Sequence, residues 1–245
     1  MSASLSPMFW KEWRELQRSR SGLAGRLAGI FLPLAVMGAL LPWQFGPAWV
    51  QTPVGLGFWC WVSLLMVTPQ AADSIAGERE RHTLDTLLAL PISDGGILFG
   101  KVGAATLYGW VMGTATALLS LVTINLTHWE GAIRLYPTTL FLGGLLLSGL
   151  SALLGSSAGL LLSMRSPTVR QAQQSLSLVV LLLALGPLIA SLVAPPAFWT
   201  RLPGMAGHGA FAAVFPLLAL ALGLIDLFLL LVATRRFRRH LLLRD

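Results

Sequence analysis

The chain has 245 residues, 55% of them hydrophobic and only 11% charged. Soluble domains average about 25% charged, so this composition excludes a sizeable soluble domain and places the chain in a membrane. The net charge of +7 sits in the gaps between apolar runs, which is how membrane topology is written rather than how a nucleic-acid surface is built.

Residues 6–20 read as an interfacial helix. Ser6 suits its cap and Pro7 its first turn. Phe9, Trp10, Trp13 and Leu16 are spaced for one face, and Lys11, Arg14, Arg18 and Arg20 supply a cationic remainder. A plain basic tail beside the membrane is the competing reading. The first apolar run begins near Arg26 and lacks a convincing cleavage site, so it reads as a retained span and not a removed signal peptide.

Six spans are expected near 27–43, 54–76, 97–124, 138–164, 175–194 and 210–233, each close to or above the ~20 residues a crossing helix needs. The expected fold class is an all-α polytopic membrane protein, a single transmembrane domain over 1–245. Of the Lys and Arg residues, only Arg134 and Arg201 fall outside one set of alternate gaps. That asymmetry puts both termini and the 77–94 loop in the cytosol. Trp43, Trp49, Trp129, Tyr136 and Trp199 then form an outer aromatic belt. Pro195–Gly209, outside, is either a short re-entrant structure or a plain loop. Cys60 lies inside an apolar run, so neither a disulfide framework nor a cysteine metal site is expected.

Small residues recur every four positions: Gly109, Gly113 and Ala117 in the third span, and Ser151, Gly155, Gly159 and Ser163 in the fourth. Such stripes allow close helix approach, either inside the chain or at a subunit interface.

The densest cluster of charge is Gly77–Asp94, GERERHTLDTLLALPISD. On a helix, Leu84, Leu87 and Leu88 share one face, while Glu78, His82, Asp85 and Thr86 share the other. Glu80 lies on the leucine side. Pro91 stops the helix, and Ser93–Gly96 makes a turn before the next apolar run. The physical reading is a short amphipathic helix at the membrane surface.

Glu78-Arg79-Glu80, Thr83-Leu84-Asp85, Leu87-Leu88, Pro91-Ile92-Ser93 and Gly100-Lys101 together resemble the cytosolic loop of type-2 ATP-binding-cassette (ABC) export permeases. His82 departs from the small residue, usually Gly, expected there, and Asp85 from Glu. The resemblance implies that the 77–94 loop carries a coupling helix over 78–93, docked on a separate ATPase subunit. It implies force transfer through Glu78, Arg79, Glu80, Arg81, Thr83, Leu84, Leu87 and Leu88. It further implies two permease copies, two ATPase copies holding ATP and Mg²⁺, and export; a small separate permease chain points to a bacterial or archaeal plasma membrane. The nearly uncharged spans favour a hydrophobic or amphiphilic cargo. A non-transporting membrane scaffold, or a mechanotransmission subunit, driven through the same loop is the alternative.

Other motifs are weaker. Gly95–Lys101 spells G-x-x-x-x-G-K, but Val102 stands where a magnesium-binding Ser or Thr belongs and no strand precedes it. Lys101 is expected to snorkel to the cytosolic interface. Gly155–Gly159 matches G-x-S-x-G, yet Ser157 and His208 belong near opposite surfaces, so no catalytic pair is expected. His82, His128, His208 and His240 have no ligand-like spacing. Asp226 is the one acidic residue well inside a span, at a cost of up to about 3 kcal/mol if charged at the bilayer centre. It is either functional, or structural and hydrogen-bonded to a Ser, Thr or Gln of a neighbouring helix.

Overall fold

The computed structural model describes residues 2–17, 23–89, 91–193 and 208–237. Among them every regular element is helical and no strand occurs. The elements are α1 (Ser2–Gln17), α2 (Leu23–Ala35), a π-helical turn (Val36–Leu40), α3 (Leu41–Phe45), α4 (Ala48–Gln51), α5 (Pro53–Glu80), α6 (Leu84–Ala89), α7 (Asp94–Thr127), α8 (Thr138–Arg165), α9 (Val169–Val193) and α10 (His208–Arg236).

Among the described residues four helices are long and apolar enough to cross a membrane: α5, α7, α8 and Phe215–Arg236 of α10. A shorter apolar run, Gly29–Phe45, accompanies them. The elements α2 to α3, and α9, stand where the sequence placed the other two of six spans. Pro195–Gly207, with Trp199 and Arg201, lies outside the described residues, as do Arg18, Arg20 and His240.

The centre of the bundle is α5, packed against α7, α8 and α9. In lipid, apolar side chains gain little by leaving their surroundings, so close backbone approach has to hold helices together. The small-residue stripes do this inside the chain. A side chain at Gly109 or Gly113 of α7 would overlap Val67 or Ser63 of α5. Gly155 of α8 rests against Leu64, and Gly159 against Ala71 and Leu176. Both stripes therefore serve internal packing around α5.

Two details of the outer face differ from expectation. Trp43 and Trp129 are exposed as a belt requires, but Trp49 is buried. It stacks on Phe58, ring centroids 5.0 Å apart, in a small cluster with Val50 and Ile124. Tyr136 is tied inward by a 2.7 Å hydrogen bond to Ser120. The π-helical turn has a local partner too: Thr123 Oγ1 donates to the Gly38 carbonyl at 3.1 Å.

The N-terminal helix begins at Ser2, with Pro7 inside it rather than in a first turn capped by Ser6. Among its described side chains Met8 is buried, seated over Gly100 of α7. Trp10 stays exposed, while Phe9 stacks on Trp13 at 6.2 Å. Phe9 also packs on α7 beside Gly103, while Trp10 and Arg14 face outward.

Candidate functional site

The acidic-basic run Glu78–Arg81 is not one surface helix with its neighbours. α5 continues through Glu80, and residues Arg81–Thr83 then turn the chain. The turn is held by Arg81 N–H to the Gly77 carbonyl (3.0 Å), His82 N–H to Arg79 (3.1 Å) and Thr83 N–H to Glu78 (2.9 Å). His82 sits at φ +54°, the left-handed region where Gly is cheapest and His is tolerated. The six-residue helix α6 follows, with Leu87 N–H bonded to the Thr83 carbonyl at 2.9 Å. Ser93 then caps α7 by accepting the Gly96 N–H at 3.1 Å. The single helix expected over 78–93 is therefore the end of a span, a turn, and a short separate helix. Pro91 and the left-handed His82 bracket α6 and keep it short.

Each charged residue of the run is committed inside the chain. Glu78 is 4% exposed. It accepts from Lys11 at 2.8 Å, from Lys101 at 3.4 Å and from the Thr83 hydroxyl. Lys101 also donates to Glu12 at 2.9 Å, and Lys11 reaches Glu15 at 3.3 Å. Lys101 is buried rather than snorkelling, because two carboxylates supply the pairing that a buried ammonium requires. Burial would pull Lys11 down, but Glu12, Glu78 and Glu15 outweigh it and hold its pKa above the ordinary lysine range. The carboxylates of Glu12, Glu15 and Glu78 come within 4.8 Å of one another, and the cationic charge among them is the chain's own lysines.

Arg79 turns the other way, donating to the Ser166 carbonyl at 2.8 Å and the Met164 carbonyl at 3.4 Å. These lie at the carboxyl end of α8, where carbonyls lack helical partners and cations are favoured. Glu80 accepts the backbone N–H of Val169 at 2.8 Å, at the first residue of α9, where an anion is favoured. Arg81 bonds Asp73, about two turns back along α5, at 3.1 Å.

One residue that sequence reasoning had read only as part of a packing stripe completes this end of the bundle. The Ser163 hydroxyl of α8 accepts from Ile75 N–H (3.0 Å) and Ala76 N–H (2.8 Å) and donates to the Ala72 carbonyl (2.8 Å). A side chain from one helix thus enters the backbone ladder of another, an arrangement that bends or loosens a helix locally. The contributions of Glu12 and Lys11 were likewise missed; acidic residues at 12 and 15 within a basic helix were the available signal.

Leu84, Leu87 and Leu88 are buried. They join Met8, Ile75, Ile97, Leu98, Val102, Leu160, Met164, Ala233 and Phe237 in a cluster that draws on α1, α5, α6, α7, α8 and α10. Exposed on this end are His82, Thr83, Asp85, Thr86, Ala89, Pro91 and Ser93. Of the eight residues singled out by sequence, Glu78 and the three leucines face inward, while Thr83 and Glu80 reach the surface.

The other motifs resolve as packing. Residues 95–101 are helical, not a phosphate loop. The Ser157 hydroxyl is buried and donates to the Leu153 and Leu154 carbonyls of its own helix, at 2.8 and 3.2 Å. An apolar groove of ≈ 680 Å³ lies between α7 and α8, bordered by Gly103, Trp110, Gly149, Leu153 and, from α10, Leu230. Asp226 is 2% exposed, and neither carboxylate oxygen has a hydrogen-bond partner among the described residues.

The model of the family described as ABC-2 family transporter protein matches residues 65–205, which includes the whole run from α6 through α8. The ABC transporter permease protein NatB of Bacillus subtilis (strain 168) is 36% identical over 118 residues. The alignment covers 46% of this chain and 31% of that protein, so the matched segment spans about a third of the relative's length.

Proposed function

The chain belongs to the ABC-2 family of transporter proteins, and on that premise we propose that it is the permease subunit of an exporter driven by a separate ATPase chain. The observation that carries this reading is the commitment of Glu78, Arg79, Glu80 and Arg81 within the chain, which ties the end of α5, and the turn from which α6 starts, to α1, α7, α8 and α9. A partner pushing on α6 therefore pushes on the bundle as a body.

In this reading the ATPase docks on the exposed side of the turn and α6: His82, Thr83, Asp85, Thr86 and Ala89. The buried leucines anchor the lever, and the four charged residues pass its motion to the spans. ATP and Mg²⁺ belong to the partner. Two permease copies and two ATPase copies form the unit, and ATP binding favours one of two bundle arrangements by its differential affinity for them. The chain itself performs no covalent chemistry. The positive-charge asymmetry supports cytosolic termini in a plasma membrane. Nearly uncharged spans and the apolar groove beside α7 and α8 support a hydrophobic or amphiphilic cargo.

The test is a mild-detergent pull-down of the tagged chain from its native membrane, with partners and stoichiometry read by mass spectrometry. An ATPase in equal amount is expected, and a permease repeatedly found alone overturns the reading. Reconstitution of that complex in vesicles then decides its use. ATP-dependent movement of a fluorescent amphiphile supports export. A captured ATPase with no movement of any hydrophobic probe favours the membrane-scaffold alternative.

A further inference from the structure

Asp226 occupies an exceptional place on α10. The face of α10 turned toward the bundle runs Phe215, Ala219, Leu222, Asp226, Leu230, Ala233 and Phe237, at successive spacings of three and four. Phe215, Ala219 and Leu222 pack on the cluster of Leu56, Leu140 and Leu147. Leu230, Ala233 and Phe237 pack with the cluster beneath α6. Asp226 falls between these two apolar blocks, about 13 Å along the helix from Arg235 at 1.5 Å per residue. Its flanking residues Leu224, Ile225 and Leu227 point outward and are exposed.

Among the described residues no charged group faces it. The helix packed most closely on α10 is α8, which has no ionisable residue between Thr138 and Met164; Arg165 is at its far end. On α7, Lys101 is committed to Glu12 and Glu78. Tyr108 is half-buried with an interaction of its own. Arg235 and Arg236 lie in the last turn of α10. Asp94 begins α7, well beyond these.

A bare carboxylate in such surroundings needs a cation. Hard metal ions require about six or more oxygen ligands. Asp226 offers two, and among the described residues it joins no group of three or more metal-ligating side chains. A proton needs only one oxygen, and a neutral acid tolerates apolar surroundings far better than an ion does. We propose that Asp226 is a proton-binding site, occupied while α10 is packed on α8 and emptied when that contact opens to water. The site makes the bundle's rearrangement proton-linked. Among the described residues α10 is the least buried of the four long apolar helices, so its packing on α8 is what shields Asp226. The link to a transport cycle rests on the exporter reading, whereas the site itself does not.

The sign of the linkage follows. If only the packed arrangement holds the proton, acid favours packing and rising pH favours opening. The experiment uses the full chain in phosphatidylcholine nanodiscs, with infrared spectra of wild type and Asp226→Asn compared at neutral pH. One protonated-carboxyl C=O band, present in wild type and lost in the variant, is expected. Coincident spectra in that region, meaning an ionised Asp226, overturn the proposal. Should Asp226→Asn fail to assemble, Asp226→Glu gives the same reading. A protonated C=O band that moves on that substitution supports the site, and a protonated-carboxyl region identical to wild type refutes it. Thermal unfolding tests the linkage. The wild-type midpoint should fall as pH rises through the titration of that band while Asp226→Asn stays flat; parallel curves overturn the coupling. None of these readouts needs an ATPase or a cargo, so their failure is distinguishable from failure of the exporter reading.

Discussion

The carboxylate of Glu80 accepts the backbone N–H of Val169 at 2.8 Å, 89 residues further along the chain. The side chain next to it, Arg79, holds the Ser166 carbonyl at 2.8 Å. Two adjacent residues thus grip both ends of the short link between α8 and α9, one satisfying orphan carbonyls and the other an orphan amide. The link between these helices cannot move independently of the end of α5.

Glu80→Lys places a cation against the amino end of α9 and removes the cap. Loss of such a cap costs about 1 kcal/mol, too little to unfold the chain. The expected result is normal membrane insertion, a slightly lower thermal midpoint in detergent, and weakened coupling of ATP hydrolysis to transport in the reconstituted complex. Glu80→Gln, which keeps an acceptor, should fall between wild type and Lys. Coupling equal to wild type in the Lys variant would count against a transmitting role.

The buried cluster around Glu78 predicts a large and non-additive effect. Lys101→Met leaves Glu12 and Glu78 short of a buried partner and should cost about 3–5 kcal/mol. Adding Glu78→Gln should recover part of that loss, as interacting sites do. Unfolding midpoints of the two single variants and the double variant measure the coupling; strict additivity would show that the groups do not interact. Because Lys11 titrates above the ordinary lysine range, its contribution is fully present below that range. It is lost only as pH rises through the raised value, so no loss is expected near neutrality.

Ser163→Ala removes the acceptor for two buried N–H groups of α5 and a donor to Ala72. Each unsatisfied group costs about 1–3 kcal/mol. Ser157→Ala removes only bonds to its own helix and should change stability by less than about 1 kcal/mol. Side-by-side thermal unfolding of the two variants in one detergent is the check. An equal effect would mean that Ser163 is not a staple between helices.

Glycines separate in the same way. Gly113→Val drives a side chain into Ser63 and Trp59, and overpacking of this kind costs about 1–3 kcal/mol or more. Gly57→Ala meets open space and should express and unfold like wild type. Fluorescence-detected size-exclusion profiles after heating distinguish them.

The exposed side of α6 predicts the reverse pattern. Asp85→Arg should leave the unfolding midpoint within about 0.5 kcal/mol of wild type, as surface changes do, yet reduce recovery of the ATPase in the pull-down. Unchanged recovery would move the docking surface elsewhere.

Class, and much of the helical layout, were legible in the sequence because hydropathy and helix length are local properties. The apolar runs, the turn residues Pro91 and Ser93, and the four-residue spacing of Gly109, Gly113, Gly155 and Gly159 are all visible without contacts. The family was legible for a similar reason: its residues are concentrated in one short stretch. Tertiary structure alone decided which way each charge points. Amphipathic spacing placed Glu78 on a solvent face, but that inference assumes a helix with water on one side. Here α1 lies there instead and brings Lys11 to Glu78 and Glu12 to Lys101. Lys101 is buried for the same reason. Ser163 lies in a stripe that spacing could read only as packing, because a hydroxyl's partners in another helix depend on register and not on composition. Asp226 was visible as an anomaly from its position, but its lack of a hydrogen-bond partner among the described residues depends on which side chains α7 and α8 turn toward it. Local periodicity thus determined the elements, and the pairing of residues roughly 70 to 90 positions apart decided what the charged ones do.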